Sequence, residues 1–152
     1  MKWKWIFVTL TVLCSAIAWS GEHPSPYAGQ ERREIKALSA EEVRGYLAGD
    51  GMAFATAAEL NHYPGPSHVL DMADKLKLTD EQRRRTKAIF DKVKTEAKDL
   101  GKQLVEKERL LDSRFAAGTI SDTELKQLVA EIAAIQGKLR TTHLQAHLAQ
   151  RK

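Results

Sequence analysis

Leu78-Thr79-Asp80-Glu81-Gln82 opens a stretch free of proline that runs to Lys152, and its reading decides the fold. Thr79 is placed as an N-cap, its hydroxyl accepting from an early backbone N–H. Gln82 falls at the third helical position, where its side chain reaches back to the cap's own N–H. From Asp80 to Ala116 the apolar residues Ile89, Phe90, Val93, Ala97, Leu100, Leu104, Leu111 and Phe115 recur at steps of three and four. That spacing predicts one long helix with a single buried stripe. Gly118 suits its C-terminal end, and Ser121-Asp122-Thr123-Glu124 reads as a further capping box. Leu125, Leu128, Ile132, Ile135 and Leu139 then carry the pattern to about Gln150. So short a connection returns the second helix antiparallel to the first, and the two would be roughly 55 and 43 Å long.

Such a hairpin does not cover the flanks of its own stripe. The expected fold is all-α: a long antiparallel helical hairpin, covered by short N-terminal helices or by a second copy in an elongated homodimer. With the turn at Thr119, residues whose numbers add to about 238 lie opposite one another. Gly101 and Gly137 meet that condition, each the only glycine inside its helix. A mid-helix glycine costs about 1 kcal/mol relative to alanine, so the pair suggests close backbone approach or a bend, unless the match is coincidence.

Upstream the pattern is broken. Ser39-Ala40-Glu41-Glu42 is another capping box, starting a short helix through Leu47 that Gly49 and Gly51 end. The alanine-rich run from Met52 to Leu60 suggests a second short helix, which Asn61-His62-Tyr63-Pro64-Gly65-Pro66 interrupts. Pro66 suits the first position of a third helix, to about Leu76. Residues 39–66 are thus short helices and a linker, 67–152 the hairpin domain, and 21–38, with Pro24, Pro26 and Gly29, a flexible leader. Residues 1–20 read as a signal peptide. Lys2 and Lys4 form its basic end, Trp5–Ala18 its apolar run, and Ala18-Trp19-Ser20 its cleavage site, a retained anchor being the alternative. Cleavage places the mature chain in the periplasm. It would also remove Cys14, the sole cysteine, and with it thiol chemistry.

Loss of Lys2 and Lys4 leaves 22 of the 24 basic residues against 20 acidic ones, a net charge of +2. That balance disfavours nucleic acid as a partner. There is no glycine-rich phosphate loop, nucleophile elbow or paired zinc cysteines, so no enzyme is expected. His143 and His147, four apart, share one helix face and suit two ligands of one metal. The register sets them opposite Thr95 and Asp91, at the open end of the hairpin. His62 and His68 lie just before the helix that starts there, with Asp71 and Met72 on the following turn. Four imidazoles could gather a zinc, nickel or copper ion; ordinary helix-surface histidines are the alternative. Arg83, Arg84, Arg85 and Lys87, followed by Lys92, Lys94, Lys98 and Lys102, make the first half of the long helix basic. This is either a solvated face or a surface that holds unfolded chains by charge and then by apolar contact.

Leu78-Thr79-x-x-Gln82, the hairpin after it, the export signal and the cysteine-free mature chain together resemble the Spy/CpxP family of periplasmic helical proteins, over roughly residues 67–150. Leu78, Thr79 and Gln82 are the motif residues. The resemblance implies curved antiparallel helical dimers and binding without a required cofactor. It implies an ATP-independent chaperone of unfolded envelope proteins, a regulatory partner of a membrane sensor kinase, or a protein of envelope-stress or heavy-metal response.

Overall fold

The computed structural model describes residues 25–152; the expected signal peptide lies outside the described residues. Five α-helices follow one another: α1 (Ala40–Ala48), α2 (Thr56–Glu59), α3 (Pro66–Asp71), α4 (Asp80–Ala116) and α5 (Asp122–Gln150), preceded by a single 3-10 turn at Gln30–Arg32. The described residues form no strand, only one isolated bridge between Ile35 and Leu38.

The caps act as their sequences dictate. Thr79 Oγ1 accepts from Gln82 N–H at 3.2 Å, and Gln82 Oε1 accepts from Thr79 N–H at 2.9 Å. Ser39 and Glu42 repeat the arrangement at α1. Ser121 forms only half of its box, accepting from Glu124 N–H, because the Glu124 carboxylate is drawn to Arg114 Nε at 2.8 Å. The end of α4 is sealed by Gly118 at φ 63°, with the N–H groups of Gly118 and Thr119 donating to Phe115 and Arg114 carbonyls.

The hairpin closes in the expected register. Arg114 meets Glu124, Lys107 meets Glu131 at 2.6 Å, and Glu96 accepts from Thr142 at 2.9 Å. Between them Ala97, Leu100 and Leu104 of α4 pack on Ile132, Ile135 and Leu139 of α5 as one buried cluster. The stripe fades at the loop end, where Phe115 is 57% exposed.

Residues 25–79 cover one flank of the hairpin. They run along α4 from its loop end, where Lys36 pairs with Asp112, past Asp50 on Lys94 at 2.9 Å, to Asp74 on Arg83 beside the start of α4. This flank rests on a second buried row of α4, Gly101, Val105 and Glu108, again at steps of four and three. Ile35 and Leu38, inside the segment expected to be a flexible leader, are buried against Val105. Two helices are shorter than the sequence suggested. Met52 and Ala53 take φ of 44° and 64°, leaving α2 a single turn, and α3 stops at Asp71 rather than near Leu76, with Lys77 at φ 52°. These left-handed residues lie in turns, at positions where no glycine announces them.

Gly101 and Gly137 do not form a pair. A Cβ on Gly101 would run into the Tyr46 carbonyl, lying 2.7 Å from its carbon, so this glycine seats α1; at Gly137 nothing lies within 4 Å.

Glu108 is buried in the second row, and among the described residues no hydrogen bond or ion pair holds its carboxylate. Burial pushes its pKa above the ordinary carboxylate value of 4.5. The folded chain therefore binds this proton more tightly than the unfolded chain. The contribution of Glu108 is most favourable below the unfolded pKa and is lost as pH rises through the folded one. Glu108→Gln should raise stability at pH 7 by on the order of 1 kcal/mol, the gain shrinking towards pH 4. Thermal midpoints of both proteins at the two pH values check this; an equal shift at both would contradict it.

Candidate functional site

The buried stripe of α5 continues past Leu139 through Thr142, His143, Ala146 and His147. Both histidines are core residues, 8% and 5% exposed. They face a cavity of about 230 Å³ between the Gly49–His68 segment, α4 and α5.

His143 stacks on Phe54, ring centroids 6.1 Å apart and 14° from parallel, and its Nε2 is buried without a hydrogen-bond partner. Burial lowers its pKa below the ordinary 6.5, with the neighbouring His147 and Lys94 acting in the same direction and Asp50 opposing. Its surroundings therefore favour the neutral imidazole.

His147 is positioned from the other side. Its Nδ1 lies 2.7 Å from the Tyr63 carbonyl oxygen. A carbonyl only accepts, so Nδ1 carries a proton, and in the neutral imidazole Nε2 is the nitrogen left to accept. Gly65 approaches the ring so closely that a Cβ there would lie 2.9 Å from Cε1. Tyr63, which holds the ring, is itself covered by the Arg151 guanidinium 4.2 Å from its ring centroid. Nε2 of His147 is 3.9 Å from Glu59 Oε1, and His68 Nε2 is 3.7 Å from that same oxygen.

Of the four histidines singled out by sequence, the fold brings His68, His143 and His147 to one cavity. His62 is an exposed residue at φ 64° and is not among the residues lining it. Among the described residues no group of three or more histidine, cysteine, aspartate or glutamate side chains is arranged so that it could hold a metal ion. Glu59, which both His68 and His147 approach, was missed because its neighbours are distant in sequence. The burial of His143 and His147 had a signal, since they extend the three-and-four spacing of Ile132, Ile135 and Leu139.

The basic run is largely neutralised locally. Arg83 pairs with Asp74, Arg84 with Glu81 at 2.6 Å, and Lys87 with Asp91 at 2.6 Å. Arg85 has no ion-pair partner among the described residues. It lines a small cavity at the open end of the hairpin with the motif residues Leu78 and Gln82 and with Ile89 and Ala149. Ile89 and Ala149 also belong to an adjoining groove of about 250 Å³ that only α4 and α5 line, with Val93, Ala146 and Lys92.

No family model, curated protein or solved structure matches the chain. Among the described residues no helix is long and apolar enough to cross a membrane.

Proposed function

We propose that this is a periplasmic, chaperone-like binding protein that holds unfolded segments of envelope proteins reversibly, without nucleotide or cofactor. The observation that carries the reading is the flank of the hairpin that residues 25–79 leave uncovered. There Ile89, Val93, Ala146 and Ala149 line a groove together with Lys92, with Arg85 just beyond. Apolar surface beside unpaired cations suits loose capture of extended chains that are partly acidic and partly apolar. The resemblance of Leu78-Thr79-x-x-Gln82 to the Spy/CpxP signature, and the signal-like residues 1–20, support the same reading. No catalytic role is assigned.

Light scattering of an aggregating unfolded client, mixed with purified protein without nucleotide, tests it. Aggregation is expected to be suppressed at a few-fold molar excess, and the suppression should weaken in Ile89→Glu. Unchanged aggregation with the wild type would remove the proposal.

A further inference from the structure

We infer that the cavity between the Gly49–His68 segment, α4 and α5 is a binding site for a small primary amine with an apolar body, its ammonium group held between Glu59 and His147. The inference does not rest on the chaperone reading, whose groove is lined by α4 and α5 alone.

The lining offers acceptors without free donors to match them. His147 spends its Nδ1 proton on the Tyr63 carbonyl at 2.7 Å, which leaves Nε2 of the neutral ring to accept. Lys94 is taken up by Asp50 at 2.9 Å, so the carboxylate of Glu59 stands as the unbalanced charge of the cavity. Glu59 Oε1 lies 3.7 Å from His68 Nε2 and 3.9 Å from His147 Nε2, too far for a hydrogen bond to either. An ammonium nitrogen donating at about 2.8 Å to two acceptors sets them roughly 4.6 Å apart at the tetrahedral angle. The Glu59 side chain is 45% exposed and free to swing the small distance that remains. The same lining repels a carboxylate.

His143 points to a ligand independently. It is more than nine-tenths buried and lines the same cavity, and its Nε2 has no hydrogen-bond partner. A buried nitrogen left unpaired is costly, and a further polar group of the ligand would answer it. The size of the space sets the body of the amine. An engineered apolar cavity of about 150 Å³ accepts benzene. Here the cavity holds about 230 Å³, half as much again, which suits a ring carrying a two-carbon ammonium arm. Phe90, Val93 and Ala146 give that ring an apolar wall.

The test is calorimetric titration of phenethylamine into the full chain at neutral pH. One molecule per chain should bind saturably, more tightly than about millimolar. Hydrocinnamate, of the same size and opposite charge, should bind at least tenfold more weakly. So should the amide of acetyl-lysine, which carries the same head group as a lysine of a bound protein. Glu59→Gln, at an exposed side chain, should weaken phenethylamine at least tenfold while leaving the helical circular dichroism unchanged. Glu106→Gln, at an exposed position of α4 outside the cavity, should bind as the wild type does. Binding of phenethylamine no tighter than about millimolar would overturn the inference. Equal affinity for hydrocinnamate, or in Glu59→Gln, would also overturn it, leaving only an apolar hollow. Equal or tighter binding of the acetyl-lysine amide would overturn it by giving the cavity to a protein side chain instead of a free amine.

Discussion

Gly101→Ala is expected to lower stability by about 1 to 3 kcal/mol, whereas Gly137→Ala is expected to raise it by about 1 kcal/mol. The added methyl is the same, and so is the helical backbone. At Gly101 the methyl meets the backbone of Tyr46, which moves only if α1 lifts off α4. At Gly137 it meets nothing within 4 Å, and only the gain in helix propensity remains. For a chain of this size the two shifts amount to roughly 4 to 12 °C down and 4 °C up in the thermal midpoint. Scanning calorimetry of the two variants reads both. Shifts of the same sign would show that α1 does not seat on Gly101.

A larger loss is expected at the centre of the hairpin. Leu104 is 0% exposed within the cluster formed with Ala97, Leu100, Ile132, Ile135 and Leu139. Leu104→Ala removes three buried carbons and leaves a void that two rigid helices close poorly, at a cost of about 2 to 5 kcal/mol. Leu148, on the outer face of α5, is 53% exposed. Leu148→Ala should stay within about 0.5 kcal/mol of the wild type. Urea midpoints with unchanged slopes give both numbers. A Leu104→Ala loss no larger than that of Leu148→Ala would mean that the α4–α5 packing is misplaced.

The hairpin was legible because its determinants are local or periodic. Thr79 with Gln82 and Ser121 with Glu124 mark the starts, Gly118 marks the turn, and a stripe at steps of three and four sets which faces meet. The covering segment was less legible. Ile35 and Leu38 are isolated apolar residues with no period, and their burial depends on Val105, far along the chain. Met52, Ala53 and Lys77 take left-handed backbone conformations without being glycine, so no residue type announced how short α2 and α3 would be. At the cavity, His143 and His147 were visible as a helical pair. Glu59 was not, since nothing in a one-turn helix announces which distant imidazole its carboxylate will meet. The basic run misled in the opposite sense: three of its first four cations are taken up by Asp74, Glu81 and Asp91.

The path of residues 25–79 along α4 bears on how quickly the chain can fold. On one side of α4, the contacts Asp74–Arg83, Asp50–Lys94 and Lys36–Asp112 span 9, 44 and 76 residues. On the other, Arg114–Glu124, Glu96–Thr142 and Thr86–Gln150 span 10, 46 and 64. Each series begins with a short loop at one end of α4 and lengthens towards the other end. Once the first rung forms, each later one closes only the small increment beyond its predecessor, so the loop-closure entropy of a long separation is never met in one step. Two zippers therefore start at opposite ends of a common template. Such a chain should refold far faster than its longest contacts suggest, at a rate set by the formation of α4 itself.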